Sequence, residues 1–198
     1  MKRAMFVLSS LWCYFTPYAV HAAKSETAVK AARIPPSDIQ GQAVVVFQNA
    51  KAPGFCMGAA GGSTKARTPI KQGECKISTE GFSQVTRDQQ WIVDQIDTNT
   101  FRLRNLKDPS KCLGVDRGIR GRADILLGVC GQRPDQHPDQ KWAFAPPKKN
   151  QPITDRIKLE NSYGLCVGVE GGRTTRAQLK QNKCLQVPDQ NWFTLRIK

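Results

Sequence analysis

Asp88-Gln89-Gln90-Trp91, Asp139-Gln140-Lys141-Trp142 and Asp189-Gln190-Asn191-Trp192 are one tetrapeptide, Asp-Gln-Xaa-Trp, repeated at steps of 51 and 50 residues. A fixed period of this size marks a repeat architecture. The same features recur upstream of each copy in the same order. An apolar-Xaa-apolar-Xaa-Asn run comes first, at Val45, Phe47 and Asn49, then Phe101, Leu103 and Asn105, then Ile157, Leu159 and Asn161. Cys-Xaa-Gly follows, at Cys56-Met57-Gly58, Cys112-Leu113-Gly114 and Cys166-Val167-Gly168, and a second cysteine stands 18 or 19 residues later, at Cys75, Cys130 and Cys184. Each unit thus reads strand, cysteine, glycine-rich loop, strand, cysteine, polar loop and Trp strand. Three copies fill residues 42 to 198.

The alternation within the units is that of β-structure. Phe101-Arg102-Leu103-Arg104 has period two, and turn residues such as Lys107-Asp108-Pro109-Ser110 and Gly61-Gly62-Ser63 separate the runs. No window of helical period is long enough for a packed helix. One unit is too small to bury a face alone, so three are expected to close a common core about a threefold axis. Trp91, Trp142 and Trp192 are the natural filling of that core, with each indole nitrogen finding an acceptor. Gln89, Gln140 and Gln190 are expected to bridge side chain to loop backbone.

Residues 1–22 read as an export signal: Lys2 and Arg3 precede an apolar run from Ala4 to Phe15, Pro17 breaks it, and Val20-His21-Ala22 offers a cleavage site. The run is shorter than the roughly 20 apolar residues that span a bilayer, so no membrane span is expected. Cys13 does not mark a lipoprotein signal, because bulky Trp12 precedes it. Residues 23–41, polar and containing Pro35-Pro36, read as a flexible linker. The expected destination is secreted, periplasmic or cell-surface.

Removing Cys13 from seven cysteines leaves six, an even number in a chain bound for an oxidising compartment. Of the possible pairings, Cys56 with Cys75, Cys112 with Cys130 and Cys166 with Cys184 gives every unit its own bridge. Each such loop contributes on the order of 3 kcal/mol. Zinc is disfavoured, since no Cys-Xaa-Xaa-Cys exists and the mature chain keeps only His137. The whole chain carries a formal charge of +14; removing Lys2 and Arg3 leaves 28 basic against 16 acidic residues, or +12. Acidic partners such as sulfated or sialylated glycans, anionic membrane surfaces or nucleic acid suit that charge.

Threefold Gln-Xaa-Trp in phase with Cys-apolar-Gly and a second cysteine resembles the ricin-type β-trefoil, the R-type lectin module of toxin B chains and glycosidase binding domains. The resemblance covers Gln42 to Lys198. It implies an all-β β-trefoil and sugar binding by shallow pockets, one per repeat, with no catalysis and no cofactor. Family members that bind sugar usually carry an aspartate two residues after the first cysteine and an aromatic two residues before the second. Here those places are Gly58, Gly114 and Gly168, and Gly73, Gly128 and Asn182. The asparagine that usually precedes the motif glutamine is Asp88, Asp139 and Asp189.

Other acidic side chains lie close by in the sequence. Asp116 and Glu170 lie two residues past the absent aspartate, where repeat 1 has Ala60, and Asp139 and Asp189 offer further acceptors. On this reading repeats 2 and 3 keep a carboxylate-lined pocket and repeat 1 is silent. A second set is basic: Lys65 and Arg67, then Arg117, Arg120 and Arg122, then Arg173 and Arg176, of which Arg67, Arg122 and Arg176 align. Guanidinium forks pair with sulfate, carboxylate or phosphate, so anionic glycans or a protein partner are the other ligands expected. Nucleic acid is disfavoured because the tryptophans are committed to the core and Phe55, Phe82 and Tyr163 are too few for a stacking platform. An enzyme is not expected, because His137 has no evident orienting partner. A free-standing lectin module of this kind suits an adhesin binding glycosylated cell-surface proteins, or the cell-binding subunit beside a catalytic toxin chain. Cytolethal distending toxins, with their ricin-like delivery subunits, compare with it in general architecture.

Overall fold

The computed structural model describes residue 39 and residues 42–75, 86–116, 121–131, 137–146, 156–174 and 176–197. The segment read as a signal, all of the linker but Ile39 and Arg117, Arg120 and Phe82 lie outside them. Ile39 itself is buried against the core.

Twelve strands form three sets of four. The first holds β1 (Val44–Asn49), β2 (Phe55–Ala59), β3 (Ile70–Glu74) and β4 (Trp91–Gln95). The second holds β5 (Phe101–Asn105), β6 (Asp108–Val115), β7 (Ile125–Val129) and β8 (Trp142–Ala145). The third holds β9 (Arg156–Asn161), β10 (Leu165–Val169), β11 (Ala177–Lys183) and β12 (Trp192–Arg196). The described residues otherwise contain turns and single 3-10 turns.

The first and fourth strands of each set close an antiparallel ring, β1–β4–β5–β8–β9–β12 and back to β1. A closed ring has no edge strand to pair elsewhere. Its registers repeat by threes: Trp91 faces Val45 and Asn105, Trp142 faces Phe101 and Asn161, and Trp192 faces Ile157 and Asn49. The second and third strands form the hairpins β2–β3, β6–β7 and β10–β11. These cap the barrel and pair with one another through Ala177↔Gln72 and the bridges Pro69↔Leu126 and Asp124↔Lys180. A six-stranded barrel capped by three hairpins is a β-trefoil.

The core follows from the alternation. Val45, Phe47, Leu103, Ile157 and Leu159 point inward with Met57, Leu113 and Val167, and all three tryptophans are buried. Each indole N–H donates to the carbonyl of the residue after the first cysteine, at 3.2 Å to Met57, 3.0 Å to Leu113 and 3.2 Å to Val167. One side chain thus fills the barrel and ties it to the cap. The disulfides are Cys56–Cys75, Cys112–Cys130 and Cys166–Cys184, one inside each repeat.

One local expectation needs correcting. Asp108-Pro109-Ser110, read as turn, opens β6 instead, and the turn is Leu106-Lys107. A register shift at Arg104/Asn105 moves the strand start forward, and proline is tolerated in the first residues of a strand because no ladder donor is needed there.

Candidate ligand-binding site

Three single 3-10 turns, Arg87–Gln89, Pro138–Gln140 and Pro188–Gln190, lead into the Trp strands and carry the aspartate and glutamine of each motif. The glutamine side chains reach across to the hairpins. Gln89, Gln140 and Gln190 donate from Nε2 to the carbonyls of Glu74, Val129 and Lys183, each at 2.8 Å, and each acceptor precedes the second cysteine of its repeat. Oε1 of Gln190 accepts from the Leu185 N–H at 2.7 Å.

These side chains run directly over the glycines of Cys-Xaa-Gly. A Cβ built on Gly58 would stand 2.7 Å from Gln89 Cγ, one on Gly168 2.9 Å from Gln190 Cγ, and one on Gly114 3.2 Å from Gln140 Cγ. Gly128 is equally close, with Gln140 Nε2 at 2.8 Å. Close approach, not backbone conformation, accounts for glycine at Gly58, Gly114, Gly168 and Gly128, while Gly73 has only an ordinary contact with Gln89 Nε2 at 3.6 Å.

In repeats 2 and 3 a carboxylate lies beside the glycine of Cys-Xaa-Gly, supplied by the motif aspartate. Asp139 Oδ2 lies 3.2 Å from the Cβ position of Gly114, and Asp189 Oδ2 lies 3.6 Å from that of Gly168. Asp88 Oδ1 stands 3.7 Å from the Cβ position of Gly62, as Asp189 Oδ1 stands 3.6 Å from that of Gly172. Repeat 1, read from sequence as silent, places Asp88 at its glycine turn as repeat 3 places Asp189, but over Gly58 it brings the Asp88 carbonyl and not the carboxylate. The signal was in the sequence, in Asp88 itself, but its position over the glycine turn was not.

Each site lies at a junction between repeats. Asn105 Nδ2 donates to the Asp88 carbonyl at 2.9 Å and Asn49 Nδ2 to the Asp189 carbonyl at 3.4 Å, while Ser162 Oγ donates to the Pro138 carbonyl at 2.7 Å. Two residues after Asn49 and Asn105 stand Lys51 and Lys107, which sequence reasoning did not single out. Lys51 Nζ donates to the Gly172 carbonyl at 2.6 Å, and Lys107 Nζ donates to the Gly62 carbonyl, each at the glycine turn beside the junction aspartate. The corresponding residue at the third junction is Tyr163, 40% exposed. His137 Nδ1 lies 3.9 Å from Asp139 Oδ1 at that same junction. The junctions of Asp88 and Asp189 are latched by lysine, and at that of Asp139 the corresponding chain position is a tyrosine.

The remaining candidates lie on the hairpin cap, apart from these aspartates. Asp116 pairs with Arg67 at 3.1 Å, and Glu170 with Lys180 at 3.1 Å. The Glu170 hydrogen bond is the main cause of a raised Lys180 pKa. Arg122 is an exposed turn residue, and Arg176 lies 3.4 Å from Glu74. Glu160, Cys166 and Cys184 cluster within 4.8 Å, but both sulfurs belong to one disulfide and cannot act as thiolate ligands.

Solved structures share this architecture. A Macrolepiota procera ricin B-like lectin in complex with lactose superposes with a TM-score of 0.61 at 14% identity, covering 80% of this chain and 99% of that one. The C-half of an earthworm R-type lectin in complex with GalNAc gives 0.57 at 10% identity, covering 78% and 99%. The Haemophilus ducreyi cytolethal distending toxin gives 0.54 at 15% identity, covering 77% of this chain and 82% of the matched chain. No curated protein matches the sequence. The ricin-type beta-trefoil lectin domain matches residues 43–192, and with the ring, the cap and the three Gln-Xaa-Trp turns described, the chain belongs to that family.

Proposed function

We propose that the protein is an exported, non-catalytic recognition module that binds glycans at its repeat junctions, chiefly at the junction of Asp139. What carries the reading is the Asp139 carboxylate over Gly114: an acceptor for sugar hydroxyls lies beside the place of the family's usual aspartate although it comes from the 3-10 turn before the Trp strand. Tyr163 at the rim offers an apolar face to a sugar ring, and His137 offers a further polar contact. Lys51 and Lys107 cover the equivalent places in the other two junctions.

In this reading residues 1–22 are the signal, 23–41 the linker and 42–198 the lectin domain, delivered to the periplasm, the cell surface or the medium. The partners are glycosylated cell-surface proteins, and the module serves as an adhesin or as the cell-binding subunit beside a catalytic chain. The likeness to a cytolethal distending toxin supports the latter through architecture. The excess of basic residues favours a second reading, contact with anionic glycans or a protein through the hairpin loops.

A glycan array with the mature protein tests the first reading. Wild type is expected to select neutral glycans, Asp139→Asn to lose at least about tenfold in affinity as a charge-assisted hydrogen bond goes, and Lys51→Met with Lys107→Met to gain binding. Neutral-glycan binding unchanged by Asp139→Asn would reject the junction as the site.

A further inference from the structure

Arg67, Arg122 and Arg176 occupy one position in the three hairpin turns, each three residues before Ile70, Ile125 and Leu179, which pair with Ala59, Val115 and Val169 in the same register. The turns are locked to one another. Arg67 N–H donates to Leu127 at 2.7 Å and Arg122 N–H to the equivalent Gln181 at 2.8 Å, and the bonds return from Leu127 N–H to Thr68 and from Gln181 N–H to Ala123. Ala177, next to Arg176, pairs with Gln72 and closes the circle. The three arginines therefore stand around the pseudo-threefold axis on a collar of mutually hydrogen-bonded turns.

Two observations suggest a use for them. Arg67 and Arg122 have φ of 66° and 65°, the left-handed region in which any residue with a Cβ is disfavoured and glycine is at ease. Strain of this kind, met twice at equivalent sites, points toward function. The charges are also poorly neutralised. Asp116 in the second hairpin pairs with Arg67, but its counterpart Glu170 is taken by Lys180, and the first hairpin has Ala60 there. Arg122 makes no ion pair among the described residues, and the Arg176–Glu74 pair is exposed at both ends. Such surface pairs are weak and screened by salt, so a ligand displaces them readily.

We propose that this collar is a second binding site, taking a glycan that bears clustered sulfate or carboxylate groups on the three guanidinium forks. The exposed large apolar side chains of the described residues, Val129, Tyr163 and Leu185, all lie off the hairpin turns, so the collar offers bases nothing to stack on. That favours a glycan over single-stranded nucleic acid. A site of this class presupposes that the chain recognises glycans, so neutral and sulfated ligands are separate arms of the test.

The test is calorimetric titration of the mature chain with a heparin-derived octasaccharide at about 0.15 M salt and above. The decisive variant combines Arg67→Gly, Arg122→Gly and Arg176→Gln. Glycine relieves the left-handed backbone at the first two positions, and glutamine keeps a side chain at the third, so the melting temperature is expected to hold or rise. Its affinity is expected to fall at least about tenfold, with a shallower dependence on salt. A control removing the same charge elsewhere, Arg87→Gln, Lys183→Gln and Arg196→Gln, is expected to lose less than about threefold. No binding by wild type, an equal loss in the control, or equally tight and equally Arg-dependent binding of duplex DNA would each overturn the collar. Neutral glycans bound at the junctions with no heparin binding would overturn the collar alone.

Discussion

Replacing Gly114 by aspartate restores the residue type that sugar-binding relatives carry, and the structure says that it should harm this protein. The new Cβ would stand 3.2 Å from both Asp139 Oδ2 and Gln140 Cγ, so the glutamine must yield by a few tenths of an ångström. Overpacking of that degree costs about 1 kcal/mol. The new carboxylate would also face that of Asp139 at about 4 Å, where like charges repel by about 1 kcal/mol in water and about 4 kcal/mol at an effective dielectric of 20. Asp139 is 27% exposed, an intermediate setting, so about 2 kcal/mol of repulsion is expected. Gly114→Asp should then cost about 3 kcal/mol, Asp139→Asn alone less than about 0.5 kcal/mol, and the pair together about 1 kcal/mol. Urea unfolding of the four proteins reads this coupling of about 2 kcal/mol directly. Additive single effects, or a Gly114→Asp variant as stable as wild type, would refute the placement of the Asp139 carboxylate over that glycine.

Trp142→Phe removes the indole donor at 3.0 Å from the Leu113 carbonyl and leaves that buried acceptor unpaired. A loss of about 1–3 kcal/mol in chemical denaturation is expected, beyond any cavity left by the smaller ring. Replacing Cys112 and Cys130 together by serine opens a bridge of sequence separation 18 and should cost about 3 kcal/mol, measured against wild type by calorimetry. Asp97 and Asp108 are held below their ordinary value of 3.8, chiefly by the hydroxyls of Thr100 and Ser110. Since both folded values are depressed, their stabilisation is complete above 3.8 and is lost as pH falls through the folded values. Thr100→Val and Ser110→Ala should therefore melt below wild type near neutrality and converge with it at the acid end of a pH series.

The sequence by itself determined the threefold all-β plan and the pairing of the cysteines. Both are written as local pattern: an alternation of period two within each strand, and one cysteine pair per repeat, so neither depends on knowing which repeat meets which. The apolar positions of the first strands, such as Val45 and Phe47, were legible for the same reason. What only the tertiary structure decided lies across the junctions. Lys51 meets Gly172 across 121 residues and Lys107 meets Gly62 across 45, contacts set by how the barrel closes and invisible to a reading along the chain. The fate of the acids was decided there too. Asp116 and Glu170, which follow the Cys-Xaa-Gly motif most closely, are held in ion pairs on the cap, whereas Asp88, Asp139 and Asp189 come to lie at the glycines of the junctions. A glycine shows only that a side chain is missing. Which neighbour fills the space depends on the register of strands folded against it, and that register exists only in the closed barrel.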